Sequence, residues 1–282
     1  MASIASLDPA TAPPGHAHLE ARYRHPIDAP AEWNETLDTL LSHRSVRAYL
    51  PDALPEGTLE LIVAAAQSAA TSSNLQPWSV VAVEDFERKA RLAALAGNQQ
   101  HIIDAPLFLL WLVDLNRLER IGEAEATPAE ALKFLESFLL GAVDTSLAAQ
   151  SAVVALESLG LGSVYIGGIR NRPAEVAAEL GLPPNVFALF GLVVGRPDPA
   201  RPAAIKPRLR QDAVLFREQY GSATGEGHVG EYNDNFRAFQ REQGLPDRAW
   251  TAVVAQRLRG PESLHGREAL RDILAGLGFG LK

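Results

Sequence analysis

The sequence predicts a protein of mixed α and β structure, built as one large α/β domain or as a tightly joined pair of domains. Its 282 residues, of which 47% are hydrophobic, can bury one large core or two modest ones. Two apolar runs, residues 78–84 and 106–114, have the composition of buried strands, and a helical pattern over residues 86–97 lies between them. This alternation of strand and helix indicates a sheet that is covered by helices.

Further elements are predicted on both sides of this segment by apolar spacing and by residues typical of helix ends. Apolar residues recur at helical spacing over residues 31–43, and Pro55 and Glu56 suit the first turn of another helix. Later in the chain a strand, a helix that stops at Gly181 and another strand are predicted over residues 163–169, 172–181 and 186–197.

A long helical segment is predicted from Pro128 to Gly160, about 30 residues and therefore about 45 Å at roughly 1.5 Å per residue. Its side chains are apolar or small on most sides, so the helix must be buried on most sides. We expect it at the centre of a domain, in an interface between subunits, or in both places.

The two ends of the chain differ from this central region. Residues 1–31 are rich in Pro, Ala and His without a sustained period, which predicts an extended arm. Its histidines, His16, His18 and His25, allow a metal site, but we favour a solvated tail and predict no metal. The C-terminal residues read as helices without strands, so we divide the chain into an arm (1–31), a core (32–220) and a helical extension (221–282) that packs on the core or on a partner subunit.

Composition excludes several classes of function. The net charge is -8, and an acidic chain does not have the surface of a protein that binds nucleic acid along its whole face. There is no cysteine, so disulfides, thiolate metal sites and cysteine nucleophiles are excluded, and redox chemistry requires a bound cofactor. The N-terminus has no secretory pattern, and the longest uninterrupted apolar runs are shorter than the about 20 residues of a membrane helix. We therefore expect a cytoplasmic protein that binds neither membrane nor nucleic acid.

Motif searches remove further classes. Residues 225–230, GEGHVG, match the dinucleotide pattern G-x-G-x-x-G, but the preceding residues 214–220 read as a short helix and not as a strand. We therefore predict a flexible loop there. The chain has no phosphate loop of the Walker type, no H-E-x-x-H and no G-x-S-x-G, and Ser146 beside Asp144 is interpreted as helix packing.

Two basic clusters are candidates for holding an anion: residues 43–47, HRSVR, and residues 206–208, KPR. Taken singly, each is more often a solvated surface. If the first cluster is extended, its side chains alternate, so that His43, Ser45 and Arg47 point to one side over roughly 13 Å. This length matches an elongated anion with a phosphate at one end.

Two polar segments have residues that suit a planar ring. Residues 71–78 offer amides and hydroxyls for the edge of such a ring, and residues 165–168 offer glycine backbone for a close approach. An ordinary turn is an equally good interpretation of each segment alone.

These motifs together resemble the FMN-dependent nitroreductase family, and most closely its NADPH-dependent, oxygen-insensitive nitroreductase and flavin reductase branch. The resemblance covers roughly residues 33–220 and depends on HRSVRAYL, SSNLQPW, GNQQH, the run from Gly141 to Arg170, LFGLVVGRP and KPRL. It implies an α+β fold, a three-layer sandwich with a mixed central β-sheet flanked by helices. It also implies an intertwined homodimer with long central helices in the interface and two FMN sites between the subunits.

The resemblance further implies which residues bind FMN. His43, Ser45, Lys206 and Arg208 are expected to hold the phosphate, with Arg44 nearby, and Arg47 is expected at the N1 and O2 edge of the ring. The partner subunit is expected to contribute the turn residues, and the opposite face of the ring is expected to lie on the strand after the long helix. The remaining expected binding residues are Ser72, Ser73, Asn74, Gln76, Gln99, Tyr165, Ile166, Gly167 and Gly168.

The chemistry implied by the resemblance is that of the flavin. A reduced nicotinamide passes hydride to flavin N5 and leaves, and a nitroaromatic, a quinone or free flavin takes its place in a ping-pong cycle. No catalytic residue of the protein is expected. Two alternatives stay open: recruitment to a specific reaction, such as reductive dehalogenation or a biosynthetic dehydrogenation, and flavin binding without turnover.

The sequence departs from the branch in the residues expected to bind the nicotinamide nucleotide. Close relatives carry an arginine before a glycine in the C-terminal region for the 2'-phosphate of NADPH, whereas Gln243 stands there in this chain. Arg241 and Arg248 are the remaining candidates, with NADPH favoured over NADH. The arm of residues 1–31 is also additional to the branch, and one interpretation is that it wraps the partner.

Overall fold

The computed structural model describes residues 15–25, 27, 32–221 and 226–282. The chain divides into two units. The sheet unit comprises Ser45–Ala203 and Gly260–Lys282, and the helical unit comprises the described residues up to Arg44 together with Ala204–Arg259.

A four-stranded sheet forms the centre of the sheet unit. Its strands are β1 (Trp78–Val83), β2 (Leu107–Asp114), β3 (Gly162–Ile166) and β4 (Val186–Gly195), in the order β1-β2-β4-β3. β2 is buried along almost its whole length, as its continuous apolar run predicts. The four strands predicted from the sequence are confirmed.

The mixed sheet that we expected is wrong for these four strands, because all three strand pairs are antiparallel. Parallel pairing among the described residues is limited to a single bridge between Ser45 and Ser163, the second residue of β3. The α+β class itself is confirmed.

Helices cover the sheet within this unit. The long helix α7 (Leu135–Ser158) packs closely on β2. This packing requires Gly141, because a Cβ there would lie 2.6 Å from Cγ1 of Val113. Thr145 of the same helix donates a hydrogen bond to the carbonyl of Leu112 at 3.3 Å. The helices of the sheet unit are α3 (Thr58–Gln67), α4 (Phe86–Leu95), α5 (Gln100–Asp104), α6 (Asn116–Ala124), α7 (Leu135–Ser158), α8 (Pro173–Leu180) and α11 (Leu270–Gly276).

The predicted bounds of the long helix, residues 128–160, are wrong at the N-terminal end. Residues 130–133 form a 3-10 turn and Phe134 is extended, so α7 has 24 residues. The backbone of Lys282 bonds to Lys133 and to Leu135, and this pairing occupies backbone groups just before the helix starts.

α7 is also long and apolar enough, by length and composition, to cross a membrane, which the sequence reading did not anticipate. Eight of its residues are buried within the fold. The helix packs on α3 and on the sheet through small residues such as Ala148 and Ala152. It is therefore the core helix of the sheet unit.

The helical unit contains α1 (His16–Tyr23), α2 (Glu35–Leu41), α9 (Glu226–Glu242) and α10 (Trp250–Arg257). The extended and solvated arm that we expected is wrong for residues 16–23, because these residues are helical and bury Leu19 and Arg22. The described part of the arm packs on α2 of its own chain. The rest of the arm lies outside the described residues, except for the short stretches around this helix.

Two local predictions near residue 220 are also wrong. Residues 214–220 form no helix, and Val214 and Tyr220 are largely exposed, so no apolar face is buried there that would support one. The flexible loop predicted over residues 225–230 is helical from Glu226 onward, as the start of α9, and Gly225 lies outside the described residues.

Candidate functional site

Three of the residues expected to hold a phosphate are brought together within the helical unit by the backbone of their own segments. The guanidinium of Arg22 donates hydrogen bonds to the carbonyl oxygens of His43 at 2.9 Å and of Lys206 at 3.1 Å. The amide of Arg208 donates to the carbonyl of Arg22 at 2.8 Å. His43, Lys206 and Arg208 are called the cation cluster below. Sequence reasoning missed Arg22, because a lone arginine in a Pro- and His-rich segment gives no signal.

The side chains of the second half of the cation cluster are accessible. Lys206 and Arg208 are exposed, and Pro207 between them is buried. Side chains alternate in extended backbone, so the two cations lie on the solvent side. The carbonyl of Pro207 accepts a hydrogen bond from the hydroxyl of Tyr232 at 3.0 Å, which fixes this short segment on α9. Burial raises the pKa of Tyr232, and the nearby charge of Arg208 lowers it.

In the sheet unit, Ser45 and Arg47 have the alternation that the sequence predicts. The amide of Val46 donates to the carbonyl of Ser163 at 2.9 Å, and Val46 is buried, whereas Ser45 and Arg47 are exposed. Both polar side chains therefore lie on the face opposite to Val46. Arg44, the last residue of the helical unit, is exposed, and its guanidinium donates to the carbonyl of Ser42 at 3.4 Å.

His101 is a polar residue near Arg47 that sequence reasoning did not select. Burial lowers the pKa of His101, and the positive charge of Arg47 lowers it further. Its Nε2 atom is buried and makes no hydrogen bond. The sequence feature that could have identified His101 is the motif GNQQH, of which it is the last residue.

The turn of residues 71–76, called the polar turn below, is held by a buried carboxylate of α7. Asp144 is 3% exposed and accepts hydrogen bonds from the amide of Ser72, at 3.2 Å, and from the hydroxyl of Thr71. Only Ser146, two residues further along α7, was considered from the sequence, and the contact of Asp144 with the turn was not predicted. Three residues of the turn have positive φ angles, Ser73 at 49°, Asn74 at 55° and Gln76 at 52°.

Gln99 and the strand end after α7 are also brought together. The side-chain amide of Gln99 donates to the carbonyl of Ala96 at 2.9 Å. Gly168 lies against the same group, and a Cβ on it would lie 2.3 Å from that carbonyl oxygen. Only glycine fits at this position. Before it, Tyr165 is part-exposed, and its hydroxyl lies 3.4 Å from Oε1 of Gln150 on α7.

The polar turn and Tyr165 contact α7 at different positions. The two share no hydrogen bond among the described residues, and α7 contacts them through different side chains, Asp144 and Gln150.

The 3-10 turn of residues 167–171 is also contacted by the C-terminal part of the sheet unit. The Nε and Nη2 atoms of Arg267 donate to Oδ1 of Asn171 at 2.9 Å and 2.8 Å. Asn171 ends the 3-10 turn that begins at Gly167, so Arg267 ties the end of this glycine turn in place. Neither residue was among the predicted site residues.

The candidates for the nicotinamide phosphate differ in their surroundings. Arg241 donates to Asp247 at 2.8 Å, and Arg237 lies 3.8 Å from the same carboxylate. Arg248 is exposed, and its backbone amide is bonded to Oε1 of Gln240.

The described residues fit FMN in their chemistry. The cation cluster supplies the charge that a phosphate requires, because charge-assisted hydrogen bonds to phosphate are among the strong ones. Gly167 and Gly168 supply backbone without a side chain, as a flat ring requires, and the contact with Ala96 leaves no space for a Cβ at Gly168.

Comparison with known proteins agrees with this chemistry. The Nitroreductase family model matches residues 40–196, and the model of the Nitroreductase family, C-terminal domain, matches residues 206–282. The chain is 39% identical over 253 residues to the FMN reductase [NAD(P)H] of Bacillus subtilis (strain 168), with 87% of this chain and 98% of the relative covered. It is 40% identical over 225 residues to the oxygen-insensitive NADPH nitroreductase of Salmonella typhimurium, with 79% and 90% covered.

The same relation appears among solved structures. NfrA2 of B. megaterium superposes with a TM-score of 0.83 at 39% identity, covering 89% of this chain and 100% of that one. The chain therefore belongs to the nitroreductase family.

Proposed function

We propose that the chain is an FMN-dependent NAD(P)H oxidoreductase that reduces nitroaromatics, quinones or free flavin. The observation that carries this proposal is the cation cluster, in which the structure joins His43 to Lys206 and Arg208 from the other basic motif through one buried arginine. Relatives that match nearly their whole length against this chain are an FMN reductase and an NADPH nitroreductase.

FMN, when bound, supplies the N5 position that accepts hydride from the nicotinamide and delivers it to the acceptor. The protein binds and orients the participants. His43, Lys206 and Arg208 would hold the phosphate, and Ser45 and Arg44 are the further candidates for this role. The charge of Arg47 favours negative charge at the N1 and O2 edge of the ring.

The other proposed contacts supply shape and polarity. Gln99 contacts the ring, and the backbone from Tyr165 to Gly168 carries one of its faces. The side chains of Ser72, Ser73, Asn74 and Gln76 line the flavin of the partner subunit. Burial and the positive charge of Arg47 both lower the pKa of His101, which disfavours a second positive charge beside that arginine.

Anaerobic spectroscopy tests the activity. The FMN-loaded protein is mixed with NADPH or NADH, and nitrofurazone is then added after excess nicotinamide has been removed. We expect the yellow colour to bleach and then to return. A flavin that stays oxidised with both nicotinamides contradicts the proposal and leaves a flavin-binding protein without turnover. Reduction by nicotinamide that no nitroaromatic, quinone or free flavin reverses indicates recruitment to a specific reaction.

We further propose a homodimer that is formed through α7. One face of this helix carries a half-exposed apolar stripe, with Leu135, Leu139, Val143 and Leu147 spaced four residues apart and 45% to 55% exposed. Successive residues at this spacing share one helix face, and an apolar stripe of this length favours burial against a second copy.

A charge in the stripe tests the dimer. We expect Leu139→Glu to halve the mass measured by light scattering after gel filtration, because a carboxylate cannot be buried without a partner. Ile121→Glu is the control, since Ile121 on α6 is similarly exposed but lies outside the stripe. A dimer that survives Leu139→Glu unchanged contradicts this interface.

For the nicotinamide phosphate we propose Arg248 in preference to Arg241, since the charge of Arg241 is compensated by Asp247 at 2.8 Å. We expect Arg248→Ala to raise KM for NADPH about tenfold and to leave KM for NADH within about twofold, because only NADPH carries the extra phosphate. Steady-state kinetics with both nucleotides measure this, with Arg241→Ala as the control. An equal change for both nucleotides contradicts the assignment.

The cellular setting and the three-part organisation are proposals as well. We propose a cytoplasmic enzyme with small-molecule partners, divided into an arm (1–31), an FMN-binding core (32–220) and a helical extension (221–282).

A further inference from the structure

The N-terminal segment before the first family match contains one residue that contacts the candidate phosphate-binding backbone. The family matches begin at residues 40 and 206, so α1 lies outside both. Within α1, Arg22 is only 7% exposed, which is unusual for an arginine.

Arg22 connects three chain segments. Its Nη2 donates to the carbonyls of Leu41, at 3.0 Å, and of His43, at 2.9 Å, and its Nη1 donates to the carbonyl of Lys206 at 3.1 Å. Its own carbonyl accepts from the amide of Arg208 at 2.8 Å. Every member of the cation cluster is thus bonded to Arg22 through its backbone.

α1 makes further contacts within the helical unit that do not involve the cation cluster. Arg24 makes two hydrogen bonds to the carboxylate of Glu242, at 2.7 Å and 2.6 Å, and its guanidinium lies 5.7 Å from the ring centre of Phe239 on α9. At the other end of α1, the ring of Trp33 packs so closely on Gly15 that a Cβ there would lie 2.2 Å from it.

We propose that Arg22 is a positioning residue for phosphate binding, and that through it the N-terminal segment sets the affinity of the protein for phosphorylated flavin. The inference rests on the proposed function, because it takes the cation cluster as the phosphate site.

Two physical effects carry this role. The carbonyl oxygens of His43 and Lys206 carry partial negative charge, and bonding to the guanidinium occupies them, so they do not oppose an incoming anion. The same bonds fix the backbone of both basic motifs before the ligand arrives, so less conformational entropy is lost on binding. Lysine cannot replace this arrangement fully, because only the guanidinium offers a planar fork of donors to several carbonyls.

A comparison of two flavins tests the role of Arg22. Apo-protein is titrated with FMN and with riboflavin, which lacks the phosphate, for the wild type and for Arg22→Met, Arg22→Lys and the control Arg24→Met. Binding is followed by quenching of flavin fluorescence, and the thermal midpoint of each apo-protein is recorded. Arg24→Met removes a neighbouring arginine whose partner is an exposed glutamate.

We expect Arg22→Met to weaken FMN binding about tenfold or more, as the loss of hydrogen bonds to a charged group predicts, with riboflavin binding changed less than about twofold. The FMN affinity of Arg22→Lys is expected to lie between those of the wild type and Arg22→Met. Arg24→Met is expected to leave the ratio of FMN to riboflavin affinity unchanged. This ratio separates positioning for phosphate from general support of the fold, which would weaken both flavins alike.

Two outcomes overturn the inference. An unchanged ratio of FMN to riboflavin affinity in folded Arg22→Met overturns it, whether both affinities are kept or both are lost equally. If Arg22→Met does not fold, Arg22→Lys decides, and a ratio within about twofold of the wild type overturns it. Failure of the wild type to bind FMN is a separate result, visible without any variant, and contradicts the proposed function itself.

Discussion

Two buried charged side chains, one in each unit, each hold a segment that was predicted to bind flavin, and they do so with opposite sign. Arg22 in the helical unit donates to backbone carbonyls next to the cation cluster. Asp144 in the sheet unit accepts from a backbone amide and a hydroxyl of the polar turn. In both cases a long-range contact with backbone groups fixes a segment that has no regular structure of its own.

The two segments differ in the strain that their anchors must hold. Around Arg22 the members of the cation cluster have no positive φ angles, whereas the polar turn has three, at Ser73, Asn74 and Gln76. Left-handed backbone costs a non-glycine residue about 1 kcal/mol or more. Asp144 must therefore stabilise a conformation that the turn does not favour, while Arg22 mainly preorganises a conformation that is already allowed. The account predicts a large effect on stability at Asp144 and an effect on ligand affinity at the cation cluster.

The largest expected effect is that of Asp144→Ala. We expect the free energy of unfolding to fall by about 3 kcal/mol, because the amide of Ser72 and the hydroxyl of Thr71 lose the charged acceptor that the buried Asp144 supplies. Urea denaturation measures the change. Ser146→Ala, on an exposed position of the same helix, is the control and should change stability by less than about 0.5 kcal/mol. A loss below about 1 kcal/mol in Asp144→Ala would show that the turn holds its shape without this anchor.

The next effect is that of Arg208→Ala on flavin retention. We expect FMN to bind about tenfold more weakly, because one charge-assisted contact to the phosphate is lost, with little change in stability. Equilibrium dialysis against FMN measures this. Arg210→Ala is the matched control, since Arg210 pairs with Asp212 at 3.3 Å. Undiminished FMN content in purified Arg208→Ala would count against the phosphate assignment.

The smallest effect concerns the strain of the polar turn itself. We expect Ser73→Gly to raise the stability of the apo-protein by about 0.5 kcal/mol, since glycine adopts the 49° φ angle without steric cost and this gain exceeds the entropy lost on folding. Ser68→Gly, at a φ of -79°, should instead lower stability by a similar amount. Thermal denaturation of both variants measures the sign, and a loss at Ser73 would mean that its backbone is not strained.

The sequence predicts the strands and most helices because their apolar spacing is local. β2 is buried on both faces, and its run of seven apolar residues, Leu107–Val113, predicts this burial. The helix α7 was predicted too long at its start, because the pairing of Lys282 with Lys133 and Leu135 joins residues almost 150 positions apart, which no local pattern contains.

The same limit applies to the candidate site. The two basic motifs and the glycines at 167 and 168 are visible as motifs, and the family resemblance assigns them to one ligand. Arg22 and Asp144 cannot be recognised in this way, because each bonds to backbone groups. Every residue type except proline supplies the same backbone groups, so the sequence does not mark the partners. A single arginine in a Pro- and His-rich segment and a single aspartate in a helix form no sequence motif with the residues that they contact.

One absorption spectrum shows directly whether this chain binds FMN. The purified protein is incubated with excess FMN, desalted and scanned, and the flavin is then released by acid and identified. We predict the absorption bands of oxidised flavin and about one FMN per chain, as expected if each chain supplies one cation cluster. A desalted protein without flavin absorption would contradict the account.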